Sequence, residues 1–259
     1  MTSPTPILVT APNFRDAGGH ATADGRKVRT GLVYRSDGLG EVDTADAATL
    51  LRLGIGLVID LRSDTERDRE PDRVPQGAEL LIADVMGRQN DELFGEVFAD
   101  PDRAGELLGG TAGRELMCEV YRRFVTTEGA RAAYREVFAR MAAVDVPTVF
   151  HCSQGKDRTG WTSAVLLTLL GVPRATVFED YLASTEHLKD KNGEILRHIA
   201  ERGFDPAHLK PVFDVHEDYL NTAFSTAEEL YGSVEGYVRD GLGVTDAQVA
   251  RLRERLSTD

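Results

Sequence analysis

A stretch of ten residues, 151–160, constrains what this chain can fold into more than any other part of the sequence. It reads HCSQGKDRTG, follows the apolar run 148–150, and precedes a helical pattern of apolar residues that ends at Gly171. This order predicts a buried strand, a tight turn that contains glycine, and the N-terminus of a helix. Cys152 and Arg158, which are separated by five residues, therefore lie on one turn between a strand and a helix.

That placement suits phosphate chemistry carried out by a cysteine. Successive backbone N–H groups in such a turn can form an anion-binding nest, and the helix dipole adds a positive potential. The same potential favours the thiolate of Cys152, which is the nucleophilic form of a thiol. The guanidinium of Arg158 can bind two phosphate oxygens, and Thr159 can donate a hydrogen bond to the departing sulfur. Gly155 permits a positive φ within the turn.

Other interpretations of Cys152 are less consistent with this spacing. A free cysteine after an apolar strand is commonly a buried structural residue, but the Cys-x5-Arg-Thr spacing in a glycine-containing turn favours catalysis. A catalytically silent phosphate-binding module is expected to lack one or more of the reactive residues. Cys152, Arg158 and Thr159 are all present in this chain. Redox sensing by Cys152 is compatible with catalysis, and Cys118 would be its resolving partner only where the fold brings the two thiols together.

The string HCSQGKDRTG resembles the signature loop of protein tyrosine phosphatases, and in particular that of a bacterial tyrosine phosphatase family. Other strings that resemble the family pattern follow in the same order, namely NFRD at 13–16, YRS at 34–36, IDLRS at 59–63, DYL at 180–182 and GYVRD at 236–240. The resemblance implies a phosphocysteine mechanism, neither metal nor cofactor, and activity on phosphotyrosine. Phosphoserine, phosphothreonine and phosphoinositides are accepted by relatives, so a phosphoinositide phosphatase that uses the same site is the alternative.

A proton donor for the leaving group is expected on a second element. The resemblance implies an aspartate from a separate loop, and Asp84 follows the apolar run 80–83. Asp157 competes for this role, because some phosphoinositide phosphatases also have an Asp just before the loop Arg. The other interpretations are a helix cap or a solvated charge for Asp84, and a salt bridge to Arg15 or Arg62 for Asp157. The predicted catalytic residues are Cys152, Arg158, Asp84 and Asp157, and the predicted phosphate-binding residues are Ser153, Gln154, Gly155, Lys156, Asp157, Arg158 and Thr159.

Residues around the loop are predicted to support it. Lys156 adds a second cation, which suits polyanionic substrates such as phosphoinositides; the alternative is a solvated surface lysine. His151 is expected to order the loop by hydrogen bonding rather than to transfer protons. Asn13, Arg15 and Asp16 are expected to brace the loop without reacting.

The pattern of apolar residues predicts an α/β fold, with a central, mostly parallel sheet flanked by helices, similar to that of protein tyrosine phosphatases, and a helical C-terminal extension. One domain is predicted to span 1–259. Strands are predicted at 32–35, 57–61, 80–82 and 148–150. Helices are predicted at 44–53 with Thr44 as N-cap, at 115–125, at 130–143, and after a capping box of Thr245 and Gln248.

Two segments are predicted to be irregular. Residues 13–19 have the composition of a turn. Between about 86 and 113 the apolar pattern weakens, which predicts a lid or a mobile insertion. Within it, the residues at helical spacing are Leu93, Phe94, Val97 and Phe98.

Charge and hydropathy limit the partners. The net charge of −13 argues against nucleic acid, because nucleic-acid binding requires clustered cations. No stretch approaches the roughly 18–20 apolar residues of a membrane-spanning helix, which predicts no integral membrane association. The N-terminus lacks the pattern of a signal peptide. We therefore expect a cytoplasmic monomer that acts on a phosphorylated protein or a phosphoinositide, with export without a cleaved signal as the alternative location.

Overall fold

A five-stranded sheet lies at the centre of the computed structural model, which describes residues 7–87 and 95–258. The spatial order of the strands is β1-β2-β5-β3-β4. The strands are β1 (Arg15–Asp16), β2 (Val33–Ser36), β3 (Leu57–Asp60), β4 (Glu79–Ile82) and β5 (Thr148–His151). β1 pairs antiparallel with β2, and the other pairings are parallel. The predicted α/β fold with a mostly parallel sheet is confirmed.

The register of the sheet determines where the turn after β5 lies. Ser36, His151, Asp60 and Ile82 pair across the four parallel strands in one row, and each is the last residue of its strand. Because these strands run in the same direction, the segments that follow them meet at one edge of the sheet, where sites in α/β proteins are built. Cys152 is the first residue beyond this row.

Helices cover both faces of the sheet and form the whole C-terminal part. They are α1 (Thr44–Arg52), α2 (Asp64–Arg69), α3 (Pro101–Leu108), α4 (Ala112–Thr126), α5 (Glu128–Ala143), α6 (Arg158–Leu169), α7 (Arg174–Leu182), α8 (Ser184–His187), α9 (Lys189–Glu201), α10 (Pro206–Phe213), α11 (Glu217–Tyr231), α12 (Val234–Gly236), a π-helical turn (Tyr237–Gly241) and α13 (Asp246–Leu256). The predicted helical C-terminal extension is confirmed. No helix in the described ranges is long and apolar enough to cross a bilayer.

Three apolar clusters hold these elements together. The largest packs α4, α5, α6 and α11 against one face of the sheet. A second packs α1 and the N-terminal segment against the other face, through Leu50, Phe14 and Tyr34. A third joins α3, α9 and α10 around Val97 and Phe213. The loop after β5 therefore starts from a strand that is buried on both faces, which gives it a rigid base.

Several local predictions are confirmed and others are wrong. Thr245 and Gln248 form the predicted capping box. The N-cap of α1 is Asp43 rather than Thr44, because the Asp43 side chain accepts a hydrogen bond from Asp46 N at 2.8 Å. The segment 13–19 contains β1 as well as a turn.

The segment 86–113 is largely helical where it is described, because residues 95–99 and α3 are helices and α4 begins at Ala112. Asp100 caps α3 by accepting hydrogen bonds from the first two N–H groups after Pro101. Leu93 and Phe94 lie outside the described residues. The single domain and the lid stay predictions.

Candidate active site

The loop after β5 has a conformation that requires glycine. Gly155 has a φ of +66°. A Cβ at this position would lie 2.2 Å from Ser36 O, because the loop folds back against the end of β2. The loop then leads directly into α6, whose first residue is Arg158.

Three consecutive carbonyl groups of the loop are turned away from its interior. Their hydrogen bonds are from Gly38 N to Ser153 O (3.1 Å), from Asn13 Nδ2 to Gln154 O (2.8 Å) and from Arg35 Nη2 to Gly155 O (2.9 Å). In a planar trans peptide the N–H points opposite to the C=O. The N–H groups that follow these carbonyls therefore point into the loop, which is the arrangement of an anion-binding nest.

Two of these donors, Arg35 and Asn13, are themselves held by a buried ion network. Asp180 accepts from Arg35 at 2.6 Å and from Arg15 at 3.2 Å, and Arg15 also donates to Asn13 Oδ1 at 2.5 Å. Burial would raise the pKa of Asp180, but the two guanidinium groups hold it well below its usual range. Burial and the neighbouring Arg35 lower the pKa of Arg15 to about 10. Asp16 does not take part, because its carboxylate accepts from Gly18 N and Gly31 N.

Cys152 is buried at the start of the loop, with 1% of its surface exposed. Thr159 is fully buried, and its Oγ1 has no hydrogen-bond partner among the residues that the structure describes. Cys118 lies on α4 and is half-buried; both thiols are free. The Sγ of Cys118 contacts Asp218 O at 4.0 Å.

The guanidinium of Arg158 is fixed by Glu66, a residue of α2 that sequence analysis missed. Both Nη atoms of Arg158 donate to the Glu66 carboxylate, at 2.5 and 2.7 Å. Glu66 also accepts from Ser153 Oγ and from Ser63 N. Burial would raise the pKa of Glu66, but Arg158 holds it well below its usual range. The signal in the sequence was the capping box Ser63-x-x-Glu66, which places this glutamate in the first turn of a helix.

We expect Glu66→Gln to lower the free energy of unfolding by about 1–3 kcal/mol at pH 7, because a charged hydrogen-bond pair is lost. Since the pKa of Glu66 is lowered in the folded state, this stabilisation is fully present above about pH 5 and is lost as the pH falls below about 4.3. Urea unfolding between pH 7 and about pH 3 should show the difference from wild type shrinking below about pH 4.3. Asp68→Asn, on the exposed side of α2, is the matched control; an equal loss there, or a pH-independent difference, would contradict the assignment.

Lys156 and Asp157 form a pair at the end of the loop. Lys156 Nζ lies 2.8 Å from Asp157 Oδ2 and 3.0 Å from Oδ1. Lys156 is 1% exposed, so the alternative of a solvated surface lysine is wrong. The alternative of a salt bridge from Asp157 to Arg15 or Arg62 is also wrong, since Arg15 pairs with Asp180 and Arg62 pairs with two carboxylates beneath the loop.

Gln154 lies in the loop, and Asp84 lies on a separate element after β4. The Gln154 side chain donates to Asn192 Oδ1 on α9 at 2.9 Å. Asp84 follows β4, two strands from β5, at the carboxyl edge that also carries Cys152. Asp84 Oδ1 accepts from Met86 N at 2.9 Å and from Gly87 N at 3.0 Å, which is the geometry of a cap. The ends of β4 and β5 are two strand spacings apart, which is about 10 Å. The backbone of Asp84 therefore lies at the same edge as Cys152 but at a distance from it.

A buried charged cluster lies under the loop and was also missed by the sequence analysis. His151 Nε2 is 3.0 Å from Asp72 Oδ2, and Arg62 Nη2 contacts both Asp72 and Asp60, at 2.7 and 2.9 Å. Burial lowers the pKa of His151, but the Asp72 carboxylate outweighs burial and raises it above its ordinary value. Within the described ranges, Asp60, Asp72 and His151 are also a group with metal-ligand atoms within 4.8 Å of one another; the Arg62 guanidinium already supplies their counter-charge.

A Cys-x5-Arg loop at the carboxyl edge of a mostly parallel sheet is the arrangement of protein tyrosine phosphatases. The family model described as "Tyrosine phosphatase family" matches residues 7–258. The chain therefore belongs to the tyrosine phosphatase family and is a protein tyrosine phosphatase. The predicted family is confirmed.

Three relatives carry names that denote protein phosphatases. The triple specificity protein phosphatase PtpB of Mycobacterium tuberculosis is 34% identical over 93% of this chain and 95% of its own length. A relative from Cupriavidus necator is 34% identical over 93% of this chain and 85% of its own length. A tyrosine-protein phosphatase of Nostoc commune is 29% identical over 86% of this chain and 73% of its own length.

Proposed function

We propose that this protein hydrolyses phosphotyrosine, and also phosphoserine and phosphothreonine, in phosphorylated proteins through a phosphocysteine intermediate on Cys152. The observation that carries the proposal is the set of three outward-turned carbonyls, because it directs successive N–H groups toward a single anion site next to Cys152. The name of the Mycobacterium tuberculosis relative, triple specificity protein phosphatase, supports the broad range.

In the first step the Cys152 thiolate attacks phosphorus and the bond from phosphorus to the leaving oxygen breaks. The loop N–H groups and Arg158 bind the non-bridging oxygens and stabilise the charge that they carry in the transition state. Glu66 holds the guanidinium in one plane, so its fork does not need to reorganise when the substrate enters.

In the second step water attacks the phosphocysteine and gives a proton to the carboxylate that served as the acid in the first step, the P–S bond breaks, and the sulfur leaves with the electron pair as a thiolate. We assign the hydrogen bond to that sulfur to Thr159 Oγ1, which lies in the first turn of α6, is buried and has no other partner among the described residues. The hydroxyl therefore stabilises the leaving group.

We assign the proton donor to Asp84 rather than to Asp157. The oxygens of Asp157 already accept from Lys156 and Tyr121, so a proton there would displace an existing hydrogen bond. Of the two carboxylate oxygens of Asp84, only Oδ1 accepts hydrogen bonds from described residues. Oδ2 is therefore able to carry the proton.

Asp84→Asn is expected to lower kcat roughly 10²-fold and to remove the alkaline limb of the pH–rate profile, because that limb reports deprotonation of the general acid. Stopped-flow or steady-state rates on a phosphotyrosine peptide between pH 5 and 9 would measure it. Asp157→Asn is the matched variant and should retain the limb. Loss of the limb in Asp157→Asn alone would transfer the role to Asp157.

The proposed function is tested by phosphate release from phosphotyrosine and phosphoserine peptides in the presence of a chelator, with a monophosphorylated phosphoinositide as the competing substrate. We expect release from both peptides, fastest from phosphotyrosine. A folded wild-type protein that releases phosphate only from the lipid would replace the proposal with the phosphoinositide alternative.

A further inference from the structure

The ammonium group of Lys156 is buried and paired with acceptors of the protein itself. A protonated lysine carries three donors. Lys156 Nζ contacts Asp157 Oδ2 at 2.8 Å, Asp157 Oδ1 at 3.0 Å and Asp214 O at 3.3 Å. The ammonium therefore donates to Asp157 Oδ1 and to Asp214 O and is paired with the Asp157 carboxylate, and the side chain is 1% exposed.

Asp157 is held in this position from the other side. Tyr121 OH donates to Asp157 Oδ1 at 2.9 Å, and Tyr121 OH is 2.8 Å from Tyr181 OH. Burial raises the pKa of Tyr121 well above its ordinary value, and the Asp157 carboxylate adds to this shift, so the phenol remains a donor. Tyr181 packs against the start of α6, since a Cβ on Gly160 would lie 2.9 Å from its ring.

These contacts decide what the loop can bind beyond one phosphate group. A free lysine beside the nest would bind a second phosphate of a polyanionic substrate, since an ammonium is a good phosphate ligand. Here Asp157 neutralises that lysine, and Glu66 is already paired with Arg158. The two cations of the loop thus each have a carboxylate partner, and the first phosphate is bound by the N–H groups and the guanidinium.

We propose that Asp157 is a specificity-determining residue that withholds Lys156 from a second phosphate group. It thereby restricts the site to substrates that carry no second phosphate next to the reacting one. The inference rests on the proposed function, because it concerns the same anion site. The proposal predicts that Lys156 connects the loop to the segment after α10 through its hydrogen bond to Asp214 O. It also predicts that Asp157→Asn frees the ammonium of Lys156.

Binding of orthophosphate and pyrophosphate to the Cys152→Ser protein, measured by calorimetry, tests the proposal without turnover. Adding Asp157→Asn should increase the affinity for pyrophosphate about tenfold more than the affinity for orthophosphate, since one charged hydrogen bond is gained. The gain should disappear when Lys156→Ala is added. Asp214→Asn is the matched control: it removes the same charge nearby, but Lys156 uses only the Asp214 backbone, so no preference for pyrophosphate should appear.

Two results would overturn the proposal. One is an equal gain for both anions in Asp157→Asn, which would mean that the carboxylate only repels phosphate. The other is a selective loss of pyrophosphate affinity in Lys156→Ala with Asp157 intact, which would mean that Lys156 already binds the second group. Failure of the Cys152→Ser protein to bind orthophosphate at all would instead contradict the proposed function, so the two failures are distinguishable.

Discussion

Cys152→Ser should abolish phosphate release from a phosphotyrosine peptide, with a fall in kcat of at least about 10⁴-fold, which is the scale of losing a catalytic nucleophile. A serine hydroxyl is not ionised near neutral pH, and among the described residues no His ring nitrogen is hydrogen-bonded to the residue 152 side chain in the way that a His activates Ser in a Ser-His pair. His151 precedes Cys152, but its Nε2 faces Asp72 beneath the loop. The nest and Arg158 are unchanged by the substitution, so peptide binding should be retained.

Cys118→Ser is the matched control, because it removes the other thiol of the chain, which lies on α4 with its sulfur 4.0 Å from Asp218 O. We expect its kcat to stay within about twofold of wild type. Rapid quench with a peptide that is labelled on its phosphate group would add a direct measurement. Wild type and Cys118→Ser should accumulate labelled phosphate on the protein, and Cys152→Ser should not. Turnover by Cys152→Ser comparable with wild type would place the nucleophile elsewhere.

The strand–loop–helix unit around Cys152 could be predicted because local sequence determines it. An apolar run, a glycine that needs positive φ and an apolar helical pattern each have one structural interpretation, and β5, Gly155 and α6 lie where those signals are. The other parallel strands are within one residue of their predicted bounds for the same reason. The β1 strand was missed because two residues carry no periodicity, and they are a strand only through pairing with β2.

The partners of the loop could not be predicted, because they come from distant positions along the chain. Glu66 meets Arg158 across 92 residues, and Asp180 meets Arg35 across 145. Lys156 illustrates the physical reason: a lysine in a polar string is ordinarily solvated, and only the fold places Asp157, Asp214 O and Tyr121 around the pair. The residues of the loop are recognisable in the sequence, whereas the charges that neutralise them depend on tertiary structure.

Arg158→Lys should lower kcat roughly 10³-fold, because a lysine retains one of the two donors that the guanidinium supplies and the loss of one preorganised donor to the transition state costs about 10²–10³-fold. A lysine keeps the positive charge but lacks the planar fork that matches two phosphate oxygens. The ammonium can still pair with Glu66, so the loop should stay folded and the melting temperature should change little. Steady-state kinetics on the phosphotyrosine peptide and a thermal melt would separate the two effects.

Arg67→Lys provides the comparison for this substitution. Arg67 lies on α2 beside Glu66, but its guanidinium donates to Arg62 O and Asp64 and does not contact the loop. The same chemical change there should leave kcat within about twofold. If Arg158→Lys retained more than about a tenth of wild-type kcat, which is 1.4 kcal/mol, bidentate binding would contribute little to the transition state. Positive charge and the backbone nest alone would then account for catalysis, and the pairing of Glu66 with Arg158 would serve stability only.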